Sequence, residues 1–117
     1  MVFSRDETVF ALIVDGLGDG WRTLRCVEAS EARSYLRKAG VEIVVVDDAA
    51  IEESIRGWLL EQAQRWAPGA LVAYIAGNHS SEVERWARSH RVQYYFSRPL
   101  ERELAIRVLR SFAQVVR

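Results

Sequence analysis

Short apolar runs alternate with amphipathic stretches along the whole of this 117-residue chain, and that alternation constrains the fold more than any single motif. Residues 9–14 (VFALIV) end at Asp15, and residues 42–46 (EIVVV) end at Asp47 and Asp48. Residues 70–76 (ALVAYIA) follow Pro68-Gly69, and residues 92–96 (VQYYF) end at Ser97-Arg98-Pro99. Runs this short, β-branched or aromatic and bounded by turn residues, predict buried strands of a parallel sheet.

The stretches between them have helical spacing. Ala32, Tyr35, Leu36 and Ala39 share one face, with Ser30 as a cap at the start and Gly40 at the end. Ile51, Ile55, Trp58, Leu59 and Trp66 mark a second helix, stopped before Pro68. Ser81 and Glu84 have the spacing of a capping box ahead of Val83, Trp86, Ala87 and His90. A fourth and longest helix runs over residues 100–116. Residues 23–29 (TLRCVEA) fit a strand better than a helix, because Arg25 and Glu28 would otherwise interrupt the apolar face set by Trp21, Leu24, Ala32 and Tyr35. The alternation predicts an α/β fold with a mostly parallel sheet.

Composition excludes several function classes. Sixteen basic residues balance sixteen acidic ones, which argues against a nucleic-acid or polybasic membrane surface. The one cysteine, Cys26, leaves no disulfide framework and no multi-cysteine metal site, and reads as a small buried hydrophobe. The cytoplasm is then the default setting. No apolar run reaches the roughly 18 residues of a membrane span. His79 and His90 lack partners at metal-ligand spacing and read as surface or helix-end residues. No nucleophilic triad and no carboxylate pair for acid–base work can be assembled, so no enzyme is expected.

The order of elements resembles the receiver domain of bacterial response regulators, over residues 8–116. The residues that carry it are LIVDG with Asp15, SEARSYLRKAGVEIVVVDD with Asp47, ALVAYIAG, and YYFSRP ahead of the last helix. The resemblance implies a flavodoxin-like three-layer sandwich on a mostly parallel five-stranded sheet, with residues 1–117 as a single domain. Its first helix would be shortened or missing, because about eight residues separate Val14 from Thr23, too few for a crossover helix.

A working receiver holds Mg²⁺ with two adjacent acids after the first strand and a phosphoacceptor Asp after the third; a Thr or Ser hydroxyl and a Lys contact the phosphoryl group. By resemblance, Asp47 is the phosphoacceptor equivalent and Asp15 one metal-binding acid. The second acid's place holds Gly16. Ala76 stands at the hydroxyl position, Arg98 at the lysine and Tyr95 at the aromatic switch. Asp15 and Asp47, with Asp48 beside them, leave room for a weakly held Mg²⁺ and no other cofactor. These departures imply a pseudo-receiver: a non-catalytic signalling module acting by protein–protein contact, in the setting of a transcriptional or other two-component-type regulator.

Two alternatives stay open. One is a receiver still phosphorylated at Asp47. The other is a small Rossmann-type nucleotide module, with Gly16, Gly18 and Gly20 at the phosphates and Asp47 on a ribose; Trp21 would then occupy its third-glycine place.

The last helix bears on partners. Its apolar residues spread over roughly 200°, whereas covering one sheet face takes about 100–140°. The excess implies a second apolar partner: another copy of the chain, or a downstream effector domain or protein. A homodimer through Ile106, Leu109, Ala113 and Val116, on a sheet face left open by the missing first helix, is the expectation.

Overall fold

The computed structural model describes residues 1–38 and 40–116. Strands and helices alternate strictly. β1 (Val2–Phe3), α1 (Glu7–Leu17), β2 (Arg25–Cys26), α2 (Ala29–Lys38) and β3 (Ile43–Asp47) are followed by α3 (Glu53–Trp66), β4 (Leu71–Ala76), α4 (Ser81–Ser89), β5 (Tyr94–Ser97) and α5 (Arg102–Val116). The sheet has five parallel strands in the order β2-β1-β3-β4-β5. Alternate side chains of β3 point to opposite faces. Val44 and Val46 enter the core beneath α2, α3 and α4, and Ile43 and Val45 the core shared with α1 and α5. This is the three-layer flavodoxin-like architecture expected.

The first third of the chain departs from expectation. Residues 9–14 are not a strand but the middle of α1, and the first helix is neither missing nor short, with 11 residues. Asp6 starts it, its carboxylate accepting the Thr8 N–H at 2.9 Å. Val9, Leu12, Ile13 and Gly16 form its buried stripe, at the i, i+3, i+4, i+7 spacing of a helix face. The first strand is the two-residue β1. The Val2 N–H donates to Leu24 O at 2.8 Å, and the Val45 N–H to Met1 O at 2.9 Å. Those two bonds place β1 between β2 and β3.

α1 is also the second apolar partner that α5 requires. A Cβ on Gly16 would lie 2.7 Å from Leu109 Cδ1 and 3.2 Å from Leu109 Cβ, so the missing side chain lets the two helices approach closely. Leu109, expected on an outer face, is 2% exposed. Ile106 and Val116 pack against the same core, and Ala113 is half-buried. The open apolar face on which the dimer expectation rested is therefore covered from within the chain.

Smaller corrections concern helix ends. Ser80, not Ser81, caps α4, its Oγ accepting the Val83 N–H at 3.1 Å. Ser30 lies inside α2. The cap there comes from Glu31, whose carboxylate accepts the Val27 and Glu28 N–H groups at 3.3 and 3.2 Å. Gly40 follows α2 with φ 61°, the left-handed conformation that ends helices. Ala39 lies outside the described residues.

Candidate functional site

The carboxyl ends of β1, β3, β4 and β5 meet at one edge of the sheet, where open α/β sheets place their sites. Asp47 ends β3 and is 0% exposed. Its Oδ2 accepts from Ser4 Oγ at 2.7 Å and from Arg98 Nη2 at 2.7 Å, while Oδ1 accepts from the Ala49 N–H at 3.2 Å. The other guanidinium arm, Arg98 Nη1, lies 3.6 Å from Asp6 Oδ2. Arg98 thus bridges two carboxylates. Burial works against its charge, but the bond to Asp47 and the fields of Asp47 and Asp6 outweigh it and raise its pKa.

Asp48 builds a second, separate cluster. Its Oδ2 accepts from Tyr74 Oη at 2.5 Å and Arg56 Nη1 at 3.3 Å, and Oδ1 accepts the Gly77 N–H at 2.5 Å. A Cβ on Gly77 would come to 3.2 Å from that oxygen. Burial first, and then Asp48, push the Tyr74 hydroxyl well above its ordinary range. Tyr74 stacks on Tyr95 with ring centroids 6.0 Å apart, and Tyr95 Oη meets His79 Nδ1 at 2.9 Å. Tyr95 is buried, and its hydroxyl is raised by burial first and then by Glu84 and Asp48.

Asp47, Asp48, Ala76, Tyr95 and Arg98 all lie at the carboxyl edge of the sheet, Asp47 with Arg98 in one cluster and Asp48 in another that reaches Tyr95 through Tyr74, with Ala76 wholly buried at the end of β4. Asp15 does not. It lies on α1 with its side chain 57% exposed, paired at 2.9 Å with Arg102. The positions that directly follow β1 are Ser4, Arg5 and Asp6. Sequence reasoning missed Ser4 and Asp6, and it missed the contact that His79 makes. The available signal was Asp6 at a capping distance ahead of a helical 9, 12, 13, 16 stripe.

Two ligand readings are corrected by this geometry. Gly16 is a helix-packing residue and Gly18 ends α1 with φ 78°, so the glycines build no phosphate loop after β1. Mg²⁺ favours octahedral oxygen coordination. Of Ser4, Arg5 and Asp6, which follow β1, only Asp6 is an acid, and the Arg98 cation already bridges it to Asp47. No group of three His, Cys, Asp or Glu side chains arranged for a metal exists among the described residues. The residues present do not fit the ion, and Asp15 is in no position to share it with Asp47.

No family model and no curated protein matches the sequence. Solved structures do match. The chain is similar to a response regulator from Thermotoga maritima, with TM-score 0.81 and 19% identity over 97% of this chain and 95% of that one. It is similar to a CheY-like response regulator receiver domain protein from Methanospirillum hungatei JF-1, with TM-score 0.80 and 15% identity over 97% and 91%. A putative pilus assembly-related protein from Burkholderia pseudomallei K96243 aligns with TM-score 0.75 and 23% identity over 97% and 87%. Strand order, helix placement and these matches agree that the chain has the fold of a response-regulator receiver domain.

Proposed function

We propose that residues 1–117 form one pseudo-receiver module, which signals by protein–protein contact and carries no phosphoryl group at Asp47. The observation that supports this is the state of that carboxylate. Phosphoryl transfer needs an available nucleophilic oxygen and groups that neutralise charge on the equatorial oxygens. Asp47 is wholly buried, with Oδ2 bonded twice and Oδ1 once. Ala76 offers no hydroxyl. Arg98 supplies a cation, but as a planar fork already committed to two acids rather than as the point charge of an ammonium.

The module's place is as the regulatory part of a transcriptional or other two-component-type system in the cytoplasm, acting on an output domain or a separate protein. No described helix is long and apolar enough to cross a membrane. Intact-mass analysis after incubation with acetyl phosphate and Mg²⁺ tests the proposal. No adduct is expected. A stoichiometric phosphoryl adduct, absent from Asp47→Asn, would restore the reading of a phosphorylatable receiver.

A further inference from the structure

We infer that the outer groove between α2 and α3 is a docking surface for an acidic, amphipathic segment of a partner protein. The inference rests on the contact-acting reading above and gives that contact a place and a chemistry. One wall is α2, where Arg33, Arg37 and Lys38 are all exposed. Arg33 and Arg37 stand four residues apart, so their side chains project from one helix face. None of the three has a carboxylate partner among the described residues. The acid of α2, Glu31, is occupied by the Val27 and Glu28 N–H groups.

The other wall is α3. Trp58 is its lining residue, and Gln62 and the 36% exposed Trp66 follow beyond the groove at four-residue intervals. Trp66 Nε1 donates to Gln62 Oε1 at 3.0 Å, which fixes the indole. Ala29, Ser30, Arg33, Ser34, Arg37 and Lys38 of α2 line a shallow depression of about 450 Å³, which Trp58 of α3 completes. The Trp58 indole beside guanidinium groups that lack carboxylate partners is complementary to a segment carrying carboxylates next to an apolar side chain. Arginine takes carboxylates in a two-pronged bond, and Trp and Arg dominate the binding energy of protein interfaces.

Nucleic acid fits less well. Guanidinium groups of Arg37 and Arg65 lie over the Trp66 ring, at 4.9 and 5.1 Å from its centroid, where a base would have to stack. The chain's formal net charge is zero, so it lacks the general positive field that draws polyanions.

The test uses a fluorescein-labelled peptide of Glu-Glu-Leu-Leu repeats and, separately, labelled oligo(dT), with binding read by anisotropy. The peptide should bind, and Arg33→Glu/Arg37→Glu should weaken it about tenfold or more. Arg107→Glu/Arg110→Glu, on the exposed side of α5, should bind the peptide as the parent does. Arg33→Gln/Arg37→Gln provides the same comparison without charge reversal, and circular dichroism confirms that each variant folds. Failure of the peptide to bind, equal loss in the α5 variant, or tighter binding of oligo(dT) would each overturn the inference. The phosphoryl assay above is untouched by any of these outcomes, so the two readings fail separately.

Discussion

Asp47 and Asp48 are neighbours in the chain, yet their carboxylates serve opposite sides of the sheet. Asp47 is held by Ser4 and Arg98 on the side of α1 and α5. Asp48 is held by Tyr74, Arg56 and Gly77 on the side of α3 and α4. Side-chain alternation at the end of β3 is the cause. The first carboxylate joins the end of β3 to the residues after β1 and β5. The second ties the β3–α3 turn to β4 and to the segment that leads into α4.

The Asp48 cluster should therefore carry much of the stability at this edge. The Asp48 side chain is 5% exposed. Asp48→Ala leaves a buried hydroxyl and a backbone N–H without their acceptor, and leaves Arg56 only its 3.9 Å contact with the exposed Glu53. Loss of one member of a buried charged pair costs about 3–5 kcal/mol. Asp48→Asn keeps one oxygen acceptor and should cost less, about 1–3 kcal/mol. Urea denaturation of the two variants checks the order; equal stability of Asp48→Ala and the parent would refute it.

Gly16→Ala should destabilise the α1–α5 contact by about 1–3 kcal/mol, the usual cost of overpacking. The new methyl meets Leu109 Cβ at 3.2 Å as well as the movable Cδ1. Leu109→Ala opens a cavity instead, at about 2–5 kcal/mol. Leu109→Glu should not yield a folded monomer, because it buries a charge between two helices. Thermal unfolding of the three variants separates this packing role from an interface role, under which Leu109→Glu would stay folded.

Stability should fall in alkali. Burial, helped by Glu31 and opposed by the N-terminal ammonium, raises the Cys26 thiol from 9.0 to about 12. The unfolded chain then loses this proton from about pH 9, while the folded chain keeps it. The contribution is complete below pH 9 and is lost as pH rises towards 12, and the raised Tyr74 hydroxyl acts in the same direction. Urea midpoints at pH 8 and pH 10.5 should show the decrease. A thiol-specific reagent at pH 8 should label Cys26 only as the chain unfolds, since the thiolate is the nucleophile.

Mg²⁺ at millimolar concentration should leave the melting temperature of the parent unchanged. Arg98→Ala frees Asp47 and Asp6 from their shared cation and should lower stability in the absence of metal. Part of that loss should return on adding Mg²⁺. Differential scanning fluorimetry with and without the ion checks both; a metal-dependent rise in the parent would show that Arg98 does not close the site.

The part of the fold that was legible in the sequence is the part in which pattern and length agree. The runs ending at Asp47, at Ala76 and near Arg98 are bounded by turn residues and are too short for helices, so they declared β3, β4 and β5. Asp47, Ala76, Tyr95 and Arg98 were singled out by the resemblance to receiver domains, and each stands at or near one of those strand ends. The width of the apolar arc on α5 also stated, without any structure, that α5 needs two partners.

Tertiary structure decided the rest. Six consecutive apolar residues at 9–14 satisfy both a strand and a helix, since a continuous run carries no period. What separates the two is the Asp6 cap and the fit of Gly16 against Leu109, a contact between residues 93 positions apart in the chain. β1 is only two residues long and has no pattern of its own; its place comes from hydrogen bonds to Leu24 and Val45. Ser4 reaches Asp47 because of that placement. Side-chain period is a local property and can be read along the chain, whereas the partner of a two-residue strand or of a helix face is set by the packing and hydrogen bonds that distant segments bring to it.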